Sequence, residues 1–150
     1  MLTEGNRERL IQAAIEAKEY AYSPYSKFRV GAAFLLADGT IVGGANVENA
    51  SYGGTICAER TAIVKAVSEG KREFVALAVT SDVTSAISPC GFCRQVIREF
   101  CSLDMPILLV PAGYPQDAKD GGVLNETMGG LLPLSFGPDA LELPRQPVSV

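Results

Sequence analysis

Residues Phe74 to Thr80 read FVALAVT, an apolar run with no polar alternation until its last position. A strand with one wet face alternates polar and apolar residues, whereas a continuous run marks a strand covered on both faces. A sheet buried in this way needs other elements packed above and below it. The flanking segments supply them. Cys57 to Ser68 reads as a helix, with Gly70 just past its end, and CGFCRQVIREFC (Cys90 to Cys101) reads as a second helix started by Pro89. The strand PILLV, Pro106 to Val110, follows. Strand, helix, strand, helix, strand in this order implies right-handed crossovers into a parallel section of sheet.

Upstream, FRVGAAFLLADGTIVGGANV reads as two strands joined at Asp38-Gly39, a hairpin that supplies an antiparallel edge. Leu10, Ala14, Ala17 and Ala21 recur at helical spacing, so residues 6–21 form an amphipathic helix, ended by YSPYS at Tyr22 to Ser26. ENASYGGT and PAGYPQDAKDGG are loops by composition, and TMGGLLP is a short helix. At 150 residues, with no linker and no internal repeat, the chain is expected to form one domain spanning 1–150, with an irregular tail from about 138.

The net charge of −4 disfavours binding to a nucleic-acid backbone, which needs a basic stripe. The opening MLTEGNRERL lacks the apolar core of a signal peptide, and no apolar run approaches the ~20 residues that span a bilayer. A cytoplasmic location follows as the expectation, with the four cysteines reduced and available for metal binding or catalysis.

The sequence contains no histidine, the usual metal ligand and general acid/base near neutral pH. It does contain TICAER, which sets Cys57 two residues before Glu59, and SPCGFCRQ, which sets Cys90 and Cys93 at C-x-x-C spacing. Each of the three cysteines falls at the expected first turn of a helix, where unpaired N–H groups and a partial positive charge favour thiolate. Cys57, Cys90 and Cys93 are therefore candidate ligands for one zinc ion. Three protein ligands leave the fourth tetrahedral position open, which distinguishes catalytic from structural zinc. Glu59 is then a proton carrier rather than a ligand. Two other readings stand beside this one: a thioredoxin-like redox pair, and a closed four-cysteine site recruiting Cys101. Cys101 lies toward the far end of the same helix, about 12 Å along its axis, and reads better as a core thiol.

CAE followed by PCGFC resembles the zinc-dependent nucleoside and base deaminases, whose all-cysteine variant with a non-ligand glutamate is itself a documented pattern. YSPYSKFRVGAA, GANVENASYG, CAERTA, SPCGFCRQVIREF and LLPLSFGP are similar, in the same order, to the homotetrameric cytidine deaminases. The resemblance covers about residues 20–138. It implies a three-layer α/β/α fold with a mixed central sheet, one Zn²⁺ per chain, a homotetramer, and hydrolysis of cytidine or deoxycytidine with release of ammonia, a step of pyrimidine salvage. It further implies that Asn46 and Glu48 contact the ribose, that Phe28 lines the pyrimidine pocket and that the Ala58 backbone contacts the base. Tyr52 and Phe136 would reach into a neighbouring subunit's site. Arg60 would donate to the ligand sulfurs and offset the formal charge of three thiolates on Zn²⁺. The competing functions are a related aminoacyl-nucleoside deaminase of the blasticidin type and a noncatalytic zinc-binding module. NVENASY and the arginine after CAE favour a nucleoside deaminase over the blasticidin type.

Overall fold

The computed structural model describes residues 2–147. Five strands form one mixed sheet in the order β2-β1-β3-β4-β5. They are β1 (Val30–Leu36), β2 (Ile41–Ala45), β3 (Phe74–Ser81), β4 (Pro106–Val110) and β5 (Leu124–Thr127). β1 runs antiparallel to both β2 and β3, β3 runs parallel to β4, and β5 returns antiparallel to β4. The expected parallel section is present, and the hairpin's two strands fall on different sides of the expectation. β2 is the edge, whereas β1 lies between β2 and β3, with Ala32, Ala33 and Phe34 fully buried.

Helices cover both faces. On one side α1 (Glu4–Lys18) sets Leu10, Ile11 and Ala14 against Ala33, Leu35, Ala76 and Ala78. On the other, α2 (Ala58–Ser68) and α3 (Gly91–Phe100) set Ala62, Ile63, Cys93 and Ile97 against Ala32, Phe34, Leu77 and Val79. FVALAVT thus divides its alternate residues between two cores, Leu77 and Val79 facing α2 and α3, Ala76 and Ala78 facing α1. Each large side chain fully buried here contributes about 1.5–3 kcal/mol of transfer free energy. This is the expected three-layer α/β/α arrangement.

α1 stops three residues before the expected end at Ala21. The backbone of Tyr22 is needed elsewhere: its N–H donates to Asn46 O at 2.9 Å and its carbonyl accepts from Glu48 N–H at 2.8 Å. That isolated parallel bridge draws the chain away from helix and delivers residues 23–29 to the same end of the sheet as α2. β5 is absent from the sequence reading because all four of its residues are exposed and carry no apolar alternation. The short helix in TMGGLLP is present as α4 (Met128–Leu131). Beyond Gly137 a 3₁₀ turn spans Pro138–Glu142, and the last three residues of the tail lie outside the described residues.

Candidate active site

Cys57 is the N-cap of α2 and Cys90 the N-cap of α3, while Cys93 lies in the first turn of α3. The two helices lie side by side on one face of the sheet, so their N-terminal ends converge. Cys57 Sγ lies 3.8 Å from Cys90 Sγ, and Cys90 Sγ 3.4 Å from Cys93 Sγ. All three sulfurs are within 4.8 Å of one another. Tetrahedral zinc with Zn–S bonds of about 2.3 Å separates its sulfurs by about 3.8 Å, so the three thiols fit that ion. None of the four cysteines is in a disulfide. Cys101, at the C-cap of α3, is buried among core side chains and outside the cluster; burial raises its pKa to about 12, which keeps it a thiol.

The cluster favours charge at Cys57. Hydrogen bonding from Cys93 and then from Arg60 lowers the Cys57 pKa to about 5, against the opposing effect of burial. With Cys57 ionised, Cys93 is pushed strongly up, chiefly because it donates to that thiolate. A divalent cation favours thiolate over thiol at its ligands.

Glu59 enters the first turn of α2 and is only 4% exposed. Its Oε2 lies 3.6 Å from Cys93 Sγ. Burial raises its pKa, and the Cys57 charge adds to the effect. A carboxylate at a helix N-terminus is ordinarily solvent-facing, so this one is placed against the sulfur cluster rather than merely against the helix dipole. Arg60 turns the other way: its Nη2 is 3.6 Å from Cys57 Sγ, and its guanidinium carbon lies 5.8 Å from the centre of the Phe92 ring. The Cys57 contact leads the interactions that raise its own pKa.

The expected sugar-binding segment folds beside this end of α2. Glu48 Oε1 accepts from the N–H groups of Tyr25 and Ser26, at 3.0 and 3.1 Å. Bonding from Ser26 lowers the pKa of the carboxyl. Tyr25, Ser26, Glu48, Tyr52 and Thr55 line a cavity of about 330 Å³, with the rings of Tyr25 and Tyr52 in edge contact at 5.8 Å. Asn46 is buried and its amide is occupied: Oδ1 accepts from Val30 N–H at 2.9 Å and Nδ2 donates to Phe28 O at 2.7 Å. Its direct effect is to fix the backbone on both sides of Arg29 and so the place of Phe28, which is 41% exposed. Ala58 is fully buried at the first turn of α2. A larger groove of about 520 Å³, lined by Ala17, Tyr20, Gly43, Gly44, Thr61 and Lys65 among others, has no cysteine in its lining.

Phe136 is 61% exposed, on a segment that crosses the outer side of α3. Its carbonyl accepts from Gln95 Nε2 at 3.0 Å. The sequence reading missed the side chains that hold this segment, Arg94 and Arg98, because two arginines at helical i, i+4 spacing read as an ordinary solvated face. It also missed Phe92, whose position between two ligands gives no sequence cue that its ring faces Arg60.

Three clustered cysteine sulfurs beside a buried carboxylate, on a three-layer α/β/α scaffold, point to the class of zinc-dependent hydrolases. Comparison with known proteins gives the family. Residues 4–108 match the cytidine and deoxycytidylate deaminase zinc-binding region. Cytidine deaminase of Halalkalibacterium halodurans is 50% identical over 131 residues, covering 87% of this chain and 94% of that protein. Cytidine deaminase of Sporosarcina psychrophila is 51% identical over 134 residues, covering 89% and 93%. Among solved structures, cytidine deaminase from Burkholderia pseudomallei superposes with a TM-score of 0.79 at 44% identity, covering 86% of this chain and 98% of that one. The enzyme from Mycobacterium tuberculosis gives 0.72 at 39% identity, covering 87% and 97%. The chain belongs to the zinc-binding cytidine and deoxycytidylate deaminase family.

Proposed function

We propose that the protein is a zinc-dependent cytidine deaminase, hydrolysing cytidine and deoxycytidine to uridine and deoxyuridine with release of ammonia. The observation that carries this reading is Glu59, buried within 3.6 Å of Cys93 Sγ at the edge of a three-sulfur cluster. Cys57, Cys90 and Cys93 would hold one Zn²⁺ per chain. Bound there, zinc supplies Lewis acidity that makes water available as a nucleophile near neutral pH. Glu59 takes the proton from the attacking water as a C–O bond forms at the amine-bearing ring carbon. It gives that proton to the adjacent ring nitrogen, then takes the remaining hydroxyl proton as the carbonyl forms and passes it to the amine, so that the C–N bond breaks with ammonia leaving. One carboxylate serves each transfer if every atom comes within hydrogen-bond reach, which removes the need for histidine. Arg60 donates to Cys57 and moderates the charge of the sulfur cluster.

The nucleoside is oriented by the remaining site residues. Glu48 accepts from the sugar 3′-hydroxyl, Asn46 completes the sugar site and holds Phe28 against the pyrimidine, and the Ala58 backbone contacts the base. A carboxylate beside the sugar disfavours a 5′-phosphate, whose burial without a cationic partner is costly. Nucleosides are thus preferred over nucleotides. Tyr52 and Phe136, both well exposed, close the site of a neighbouring chain in a homotetramer. The free thiols fit a cytoplasmic enzyme of pyrimidine salvage, as does the want of any described helix long and apolar enough to cross a membrane. A single domain spanning residues 1–150 completes the proposal.

The test is absorbance change on cytidine, deoxycytidine, cytosine and cytidine 5′-monophosphate, with and without a zinc chelator. Chelator-sensitive turnover of the two nucleosides, with little on the other two, is expected. Zinc binding without turnover of any would overturn the reading.

A further inference from the structure

We propose that Arg98 is a positioning residue that fixes Phe136, and that α3 thereby sets the metal ligands of its own chain and the aromatic wall of a neighbouring chain's site. The proposal rests on the reading that Phe136 packs on the pyrimidine ring.

The segment carrying Phe136 has little apolar anchorage of its own. Leu134 projects wholly into solvent and Phe136 is mostly exposed. Leu131 and Leu132 pack on the core at its start; beyond them, what holds the segment is polar, and it comes from one helix. Arg94 Nη1 donates to Leu131 O at 2.6 Å, where the segment begins. Arg98 grips it on both sides of Phe136: Nε donates to Ser135 Oγ at 3.1 Å, and Nη2 pairs with Asp139 at 2.5 Å. Gln95 holds the Phe136 carbonyl between them, but Gln95 is exposed and water competes for that bond. The Arg98 side chain is only 10% exposed, although its partner Asp139 is 73% exposed, so the donor end of these charge-assisted bonds is the shielded one.

Gly137 shows how closely the segment lies on the guanidinium. A Cβ built there would sit 2.5 Å from Arg98 Cζ and 2.6 Å from Nη2. No side chain fits at 137 while the present contact stands. The residue after Phe136 is therefore in direct contact with an arginine one turn beyond Cys93 and Arg94 on the same helix. Cys90, Cys93 and Phe136 share a single rigid support.

Two independent changes break this contact. Arg98→Gln removes the guanidinium and its charge, and Gly137→Ala forces the guanidinium and the segment apart while leaving the charge in place. Each is expected to raise the KM for cytidine about tenfold, the scale of one aromatic contact, with kcat changed less than about threefold. Zinc content should stay at one per chain. Backbone hydrogen exchange over residues 132–140 should rise at least about tenfold. Arg98→Lys, which keeps the partner for Asp139, should recover part of the KM. In the double variant with Phe136→Ala, Arg98→Gln should add no further KM change, because both act through one ring.

If Phe136→Ala raises KM while Arg98→Gln leaves both KM and exchange at wild-type values, the positioning role is overturned. Multiplying KM effects in the double variant would overturn it too, since Arg98 would then act by another route. An unchanged KM in Phe136→Ala would instead overturn the underlying reading of Phe136, a result distinguishable by the exchange data.

Discussion

Glu59 Oε2 lies 3.6 Å from Cys93 Sγ although the two residues are 34 positions apart and on different helices. The contact exists because α2 and α3 pack side by side on one face of the sheet with their N-termini level. The same packing that buries Ala62, Ile63 and Ile97 brings the sulfurs and the carboxylate together. The site is thus a consequence of the core on that face.

Zinc should follow the three clustered sulfurs and ignore the fourth cysteine. Single alanine variants at Cys57, Cys90 and Cys93 are expected to lose most of their metal, whereas Cys101→Ala keeps one zinc per chain and loses only about 1 kcal/mol or so of packing. Metal analysis of the purified variants reads this out directly. Full zinc in the Cys90 variant, or none in the Cys101 variant, would contradict it.

Arg60→Gln is expected to lower turnover about 10- to 100-fold while zinc remains bound, the range found when a group supporting metal ligands is removed. The contact at stake is the 3.6 Å donation to Cys57 Sγ. Wild-type turnover in this variant would assign Arg60 to the helix surface.

Gly44 sets the distance between β2 and the helix that begins at Cys57. A Cβ at this position would meet Ala62 N at 2.5 Å and Ala58 O at 2.9 Å, both in the backbone of α2. Gly44→Ala is expected to cost about 1–3 kcal/mol by overpacking and to reduce turnover, since α2 must shift with Cys57 and Glu59 upon it. Thermal melting and a cytidine assay on the same sample measure both. No change in either would show that α2 is not seated by this glycine.

Much of this could be read from the sequence, and the unread parts share a cause. FVALAVT, the Asp38-Gly39 turn and the two cysteine-capped helices carry local signals, and each element stands within a residue or two of its expected place. The cysteine spacing and Glu59 were legible because metal chemistry restricts which residue types can serve. The position of β1 inside the sheet was not, since a hairpin pattern does not say which of its strands meets the next strand. β5 has no buried face to leave a periodic trace. The Arg98 clamp depends on contacts about 40 residues apart between residues that look like ordinary surface.

Asp82 gives a pH test remote from the metal. It accepts from Arg29 Nε at 2.8 Å and pairs with Lys18 at 2.9 Å, and the Arg29 bond leads the effects that lower its pKa to about 2. A depressed carboxyl pKa stabilises the fold above the unfolded value near 3.8, and the stabilisation fades as pH falls through about 2. The side chain is 43% exposed, so solvent screening reduces the contribution to about 0.5–1 kcal/mol. Asp82→Asn should therefore melt about 2–4 °C lower at pH 7 and converge on the wild type near pH 2. A gap that persists or widens at acid pH would contradict the ion-pair origin.

The central claim is that Glu59 moves the protons, and the most direct measurement is turnover of cytidine by zinc-matched wild type and Glu59→Gln. Glutamine preserves the shape of the side chain while removing its charge and its ability to exchange a proton. With one zinc per chain in both proteins and the same melting temperature, turnover is expected to fall by at least about 10² to 10⁴, the scale of general acid–base catalysis. Retention of more than about a tenth of wild-type turnover would contradict the assignment of Glu59 as the proton carrier.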